Sequence, residues 1–114
     1  MPTVSYDTAM KDMICAQPEL AAEMFEDALN ALLANDLEDG RLLLRQYVNL
    51  TIGFTELAAR TGKQSKNLMR SLSADGNPTA TNLFEIIHAC MEAEGMAVAA
   101  HVTRPKSPAP SPAA

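Results

Sequence analysis

Four polar residues, Ser65, Lys66, Asn67 and Arg70, stand within two turns of one predicted helix, interleaved with Leu68, Met69 and Leu72. These are side chains that hydrogen-bond to phosphates and base edges. A guanidinium at Arg70 can donate two parallel bonds to O6 and N7 of guanine, and an amide at Asn67 can pair with N6 and N7 of adenine. Each such pair discriminates between bases by about 1–3 kcal/mol. Lys66 shares this face, although an ammonium suits a phosphate at least as well, and Ser65 can either cap the helix or reach a base. Lys63 and Gln64 just before the helix, with Arg60 and Arg45 upstream, are candidates for phosphate contacts, which set register and salt dependence rather than sequence preference. The competing reading of every one of these residues is an ordinary solvated helix face.

Chemistry of this kind needs a rigid pair of helices, and residues 54–72 supply the pattern for one. Phe54 to Arg60 forms a short helix with Leu57 and Ala58 facing inward, Ala58 being small where a second helix crosses closely. Gly62 ends it, because glycine accepts a left-handed backbone cheaply just past a helix. Gln64 to Leu72 then gives a second helix with Leu68, Met69 and Leu72 on its apolar side. Its position is that of a recognition helix lying in a major groove.

Overall charge argues against nucleic acid, and its distribution argues for it. The 114 residues carry a net charge of −5. Residues 1–40 hold Asp7, Asp12, Glu19, Glu23, Glu26, Asp27, Asp36, Glu38 and Asp39 against Lys11 alone, a net of −8. Residues 41–70 hold Arg41, Arg45, Arg60, Lys63, Lys66 and Arg70 against Glu56 alone, a net of +5. Phosphate contacts respond to the local patch, within a Debye length of about 8 Å, so a basic face on an acidic chain is compatible with DNA.

The remaining sequence reads as helical support in one domain, residues 1–102. Ala, Leu, Met and Glu are abundant, aromatic residues make up 4% and β-branched residues are sparse, which disfavours a β-sandwich. A short first helix carries Tyr6, Met10, Met13 and Ile14, with Ser5 or Asp7 as its cap. Gln17-Pro18 breaks it and starts an amphipathic helix running to Ala34, with Leu20, Met24, Phe25, Ala28 and Leu32 on one stripe. Asp36 is expected to cap the next helix, Leu37 to Leu50, with Asp39 in its first turn. After the turn at 74–78, Thr79 caps a helix through Leu83, Ile86, Ile87 and Cys90 to about Glu94, and Gly95 stops it. Residues 96–102, MAVAAHV, alternate with period two and predict a short strand, whose economical partner is its copy in a second subunit. Residues 103–114 are Pro, Ser and Ala with little to bury and are expected to be a disordered tail. The expected fold is therefore all-α, five or six helices with a short C-terminal strand.

Residues 53–91 resemble the lambda-repressor-like (Xre-type) helix-turn-helix domains, through Leu57-Ala58, Gly62, Leu68, Arg70, Gly76-Asn77-Pro78-Thr79, Leu83, Ile86 and Ala89. More narrowly, the run from Ala28 to the Gly-Met at 95–96 resembles the HigA-like addiction-module antidotes. That resemblance implies a homodimeric DNA-binding repressor that neutralises a small RelE-like (HigB-like) toxin and represses its own operon. It also implies base-reading roles for Ser65, Lys66, Asn67 and Arg70. Many of these domains carry Gln at the first position of the first motif helix, where it braces a phosphate. This chain has Phe54 there, and its successor Thr55 can reach the phosphate instead. The acids between 19 and 39 could serve a basic toxin, or be a solvated face.

No catalytic set is visible: there is no Ser-His-Asp or Cys-His arrangement, phosphate-binding glycine loop or pair of buried carboxylates, so no enzyme is expected. His88 and His101 lack partners at metal-ligand spacing, and neither a metal nor another cofactor is implied. Cys15 and Cys90 are expected to be reduced core thiols, and the methionines at 10, 13, 24, 69, 91 and 96 core residues. With no secretory signal and no membrane-length apolar run, a bacterial cytoplasmic protein is expected. Two further readings stand beside the antidote: a free-standing regulator of the same fold with no toxin, and an interaction module that has lost DNA binding and acts through its acidic helices.

Overall fold

The computed structural model describes residues 6–104, with side chains from Thr8 onward. Within that span it is all-helical: α1 (Tyr6–Ala16), α2 (Pro18–Leu33), α3 (Leu37–Leu50), α4 (Phe54–Thr61), α5 (Ser65–Ser71) and α6 (Ala80–Glu94). The architecture is compatible with a small helix-turn-helix domain. Helix boundaries fall within two residues of the sequence expectation, because most are set by local chemistry. Pro18 sits in the first turn of α2, where its missing N–H costs nothing. The Thr79 side chain accepts from the Asn82 N–H at 3.1 Å and caps α6, which Gly95 ends in the left-handed conformation. Asp36 precedes α3, but its side chain makes no cap bond; its carbonyl accepts the Gly40 N–H at 2.9 Å, the ordinary first bond of the helix. The expected cap of α1 at Ser5 or Asp7 lies outside the described side chains.

The largest helix–helix interface joins α2 to α3, consecutive helices linked by the turn at 34–36, in which Asn35 takes a left-handed φ of 65°. Phe25 and Tyr47 meet across it with ring centroids 5.0 Å apart. Ala28, Leu44 and Val48 are fully buried beside them. Gly40 lets the backbones approach: a Cβ there would lie 2.5 Å from the Leu32 Cδ2. The same core continues without a break through Leu50, Phe54, Leu57, Leu68, Leu72, Ile86 and Cys90, so the acidic and basic halves share one interior. Each fully buried leucine contributes about 2 kcal/mol from apolar area alone.

Three expectations about apolar residues change. Cys15 is exposed while Cys90 is buried. Met13 and Met69 are also exposed, whereas Met10, Met24, Met91 and Met96 pack against the core. In each exposed case a neighbour one position away, Ile14 or Leu68, holds the inward direction, and a step of about 100° turns the next side chain toward solvent. The strand expected at 96–102 does not form. Met96 donates its N–H to Met91 at 2.9 Å, and beyond it the segment makes no backbone hydrogen bond among the described residues. A lone extended segment has no ladder to join. Only residues 103 and 104 of the expected tail are described; they are exposed and outside any helix.

Candidate nucleic-acid interface

The motif is built from its buried seam outward. Leu57 of α4, Leu68 of α5 and Leu72 just past its end are buried at 0%, 1% and 0% exposure. Ala58 packs half-buried against the same core. Gly62 takes φ 72° and donates its N–H to Ala58 at 2.9 Å, closing α4. Thr61 then fixes the turn, its hydroxyl donating to the Leu57 carbonyl at 2.9 Å and accepting from the Lys63 N–H at 3.4 Å. The Ser65 hydroxyl donates to the Phe54 carbonyl at 3.3 Å and ties the start of α5 to the start of α4. Ser65 is thus half-buried and engaged as a clasp between the two helices. A helix of seven residues is too short to persist alone, so α5 keeps its shape through these anchors.

The outer face of α5 is open. Lys66, Asn67 and Arg70 are exposed and side by side one turn apart, and none forms a side-chain hydrogen bond or ion pair within the described residues. Met69, 40% exposed, lies among them. Linear periodicity assigned it to the core and so concealed an apolar group on the polar face.

Cations expected at phosphates divide into free and engaged sets. Arg45, half-buried on α3, is unpaired among the described residues, as are exposed Thr55 and Gln64. Arg60 Nε lies 2.9 Å from Glu56 Oε2, one turn away on α4. Lys63 Nζ lies 3.2 Å from Glu85 Oε1 on α6. Arg41 is held most closely, Nε donating to the Ser73 carbonyl at 3.3 Å and Nη2 to the Ala74 carbonyl at 3.0 Å. Arg41 therefore clasps the loop that follows α5, a role that no spacing signal could show, since its partners are backbone oxygens more than 30 residues away.

Between α5 and α6 lies a polar cleft of about 320 Å³, lined by Lys63, Gln64, Asn67, Ser71 and Asn82 among others. Ser71 and Asn82 carry no sequence signal of their own; packing of two helices brings them together. Phe54, the first residue of α4, is buried at 5% exposure and packs in the core, leaving Thr55 as the exposed residue at that helix start.

On the opposite half, Glu19, Glu23, Glu26 and Asp27 of α2 and Glu38 and Asp39 of α3 are all exposed, without an ion pair among the described residues. His88 Nδ1 lies 3.5 Å from Glu92 on the surface of α6, and His101 is exposed. Among the described residues no group of three His, Cys, Asp or Glu side chains could hold a metal ion. No described helix is long and apolar enough to cross a membrane.

In comparisons with known proteins, no family model matches the chain, and neither a curated protein nor a solved structure matches it. The described residues form a small all-α fold, compatible with a helix-turn-helix domain, in which α5 presents an exposed polar face.

Proposed function

We propose that the chain is a sequence-specific DNA-binding repressor that acts as a dimer, and the antidote of a toxin–antidote pair. The observation that carries the DNA reading is the open α5 face: Lys66, Asn67 and Arg70 exposed, and unpaired among the described residues, on a helix immobilised by Leu68 and Leu72. Laid in a major groove, α5 would offer Arg70 to guanine and Asn67 to adenine, with Met69 available to a thymine methyl. Arg45, Thr55, Gln64, Lys66, Lys63 and Arg60 would supply the flanking phosphate contacts, the last two by leaving their carboxylate partners. Two copies would read half-sites about 34 Å apart, one turn of DNA.

Support for an antidote role is electrostatic. The exposed acids of α2 and α3 form a surface complementary to a small basic protein, and a toxin that cleaves RNA needs positive charge. The test is retardation of DNA from upstream of its own gene. Arg70→Ala should cost about 1–3 kcal/mol of binding and relax base preference, whereas Lys66→Ala should weaken all sequences alike and lower the salt slope by about one. A folded chain that retards no such DNA at low salt would remove the repressor reading. The antidote role requires a neighbouring small basic protein that co-purifies with the chain and is toxic alone.

A different reading, an interaction module without DNA binding, gains from Leu33 and Leu37, exposed at 82% and 47% at the tip of the acidic hairpin. It would remain if retardation failed.

A further inference from the structure

We propose that the polar cleft between α5 and α6 binds a small molecule carrying an oxyanion, a carboxylate or a phosphate, and that this ligand competes with DNA for Asn67. Binding itself is independent of the repressor reading; its effect on DNA rests on that reading.

The cleft, about 320 Å³, has the size of a pocket for a small metabolite. Leu68 of α5 and Ile86 of α6, both buried, back it from the core. Every polar side chain around it can donate a hydrogen bond: the Lys63 ammonium, the Gln64, Asn67 and Asn82 carboxamides and the Ser71 hydroxyl. No carboxylate lines it among the described residues. Gln64, Asn67, Ser71 and Asn82 make no side-chain hydrogen bond among the described residues, and Ser71 and Asn82 are half-buried. Donors from two helices thus converge on one space without a protein acceptor, and half-buried polar groups favour a partner that supplies acceptors.

Lys63 contributes the charge. Its ammonium lies 3.2 Å from Glu85 Oε1, yet Lys63 lines the cleft and Glu85 does not, so the positive end of this ion pair faces the cleft. A ligand oxyanion competes for that ammonium with a carboxylate whose side chain is 47% exposed, a weak partner. It also gains charge-assisted bonds from the carboxamides and the hydroxyl, which Glu85 does not receive. Asn67 couples the cleft to the outer face of α5, because it lines the one and is exposed beside Lys66 and Arg70 on the other. Its carboxamide cannot serve a ligand and an adenine at once, so an occupied cleft weakens DNA binding.

Inorganic phosphate and acetate are the probes, each titrated into the full chain against chloride at constant ionic strength, with the side-chain amide resonances as the readout. The Asn67 and Asn82 carboxamide signals should shift saturably with phosphate, acetate or both, and not with chloride. Asn82→Ala and Ser71→Ala should each weaken binding about tenfold or more, the loss of a hydrogen bond to a charged group, with unchanged circular dichroism. Lys63→Met should weaken it at least as much, whereas Lys11→Met, which removes an equal charge on α1, should leave it unchanged. Glu85→Gln removes the competing carboxylate and should strengthen it. The saturating probe should also lower the affinity of the chain for upstream DNA. Absence of a saturable shift, equal shifts with chloride, or parent affinity in Asn82→Ala, Ser71→Ala and Lys63→Met overturns the proposal. So does a loss of DNA retardation in Asn82→Ala when neither free anion binds, which would give the cleft to a backbone phosphate. Saturable binding by a chain that retards no upstream DNA would keep the site and remove the repressor.

Discussion

Lys63 Nζ lies 3.2 Å from Glu85 Oε1, so the turn of the helix-turn-helix is tied to α6 by its own cation. Both side chains are partly exposed, at 31% and 47%, and such a pair is worth about 1 kcal/mol at most. Any phosphate that takes Lys63 must first displace that carboxylate. Glu85→Gln is therefore expected to tighten binding to upstream DNA by up to about fivefold, the factor that corresponds to about 1 kcal/mol, while leaving the unfolding temperature nearly unchanged. Titration at fixed low salt together with a thermal melt checks it; unaltered affinity would mean that Lys63 stays with the protein when DNA binds.

Arg41 acts at a distance from the exposed face of α5. Its two donors reach the Ser73 and Ala74 carbonyls and hold the chain as it leaves α5. Arg41→Ala should lower stability by about 1 kcal/mol, the usual net worth of such bonds, and weaken DNA binding as well. Arg41→Lys separates geometry from charge. An ammonium keeps the charge without the planar two-donor fork, so Lys should fail to restore affinity if the clasp matters. Full restoration by Lys would show that only the positive charge counts.

Stability should fall at alkaline pH through two buried groups. Burial, and secondarily Glu94, pushes the Cys90 thiol up from 9.0 to about 12. Burial, then Glu94 and Cys90, raises the Tyr47 phenol well above its ordinary 10.0. Both groups are neutral in the folded chain and ionise earlier in the unfolded one. The unfolded state therefore binds fewer protons as pH rises, and stability, flat below pH 9, declines above it by about 1.4 kcal/mol per pH unit for each titrating group. Cys90→Ala should move the onset from about 9 toward 10, close to the unperturbed tyrosine value. Urea midpoints measured from pH 8 to 11 would show this.

The two thiols should also differ in reactivity. Cys15 is exposed and Cys90 is enclosed, so a chromogenic disulfide reagent should titrate one thiol in the native protein and two in denaturant. Rapid reaction of both under native conditions would contradict the packing around α6.

Much of this molecule was legible in its residue order, for reasons that can be located. Gly62, Thr79, Gly95 and Pro18 act within a turn of themselves, so the helix ends they set could be read directly. The inward positions Leu68 and Leu72 follow from a spacing of four, and Leu57 from its place beside the small Ala58. What the order concealed depends on tertiary partners. Met69 and Cys15 looked internal because their neighbours are. Arg41 looked like one more cation of the basic run until the loop at 73–74 came against it. Asp36 matched a cap pattern, but its side chain makes no bond to the first turn of α3. The period-two segment at 96–102 announced a strand, and one chain has nothing to pair with it.

The glycine that lets α2 and α3 touch also bears on how the chain reaches this state. Gly40 and Leu32 meet across a hairpin whose arms are neighbours in sequence, so closing it costs little loop entropy compared with joining α4 to α6 across the turns at 62–64 and 72–79. The hairpin of α2 and α3 is therefore expected to form the folding nucleus, with α5 packing onto it later. Conservative core truncations in α2 and α3 should slow refolding, whereas Leu68→Ala should chiefly speed unfolding. On that expectation, the half that would meet a protein partner takes shape before the half that would meet DNA.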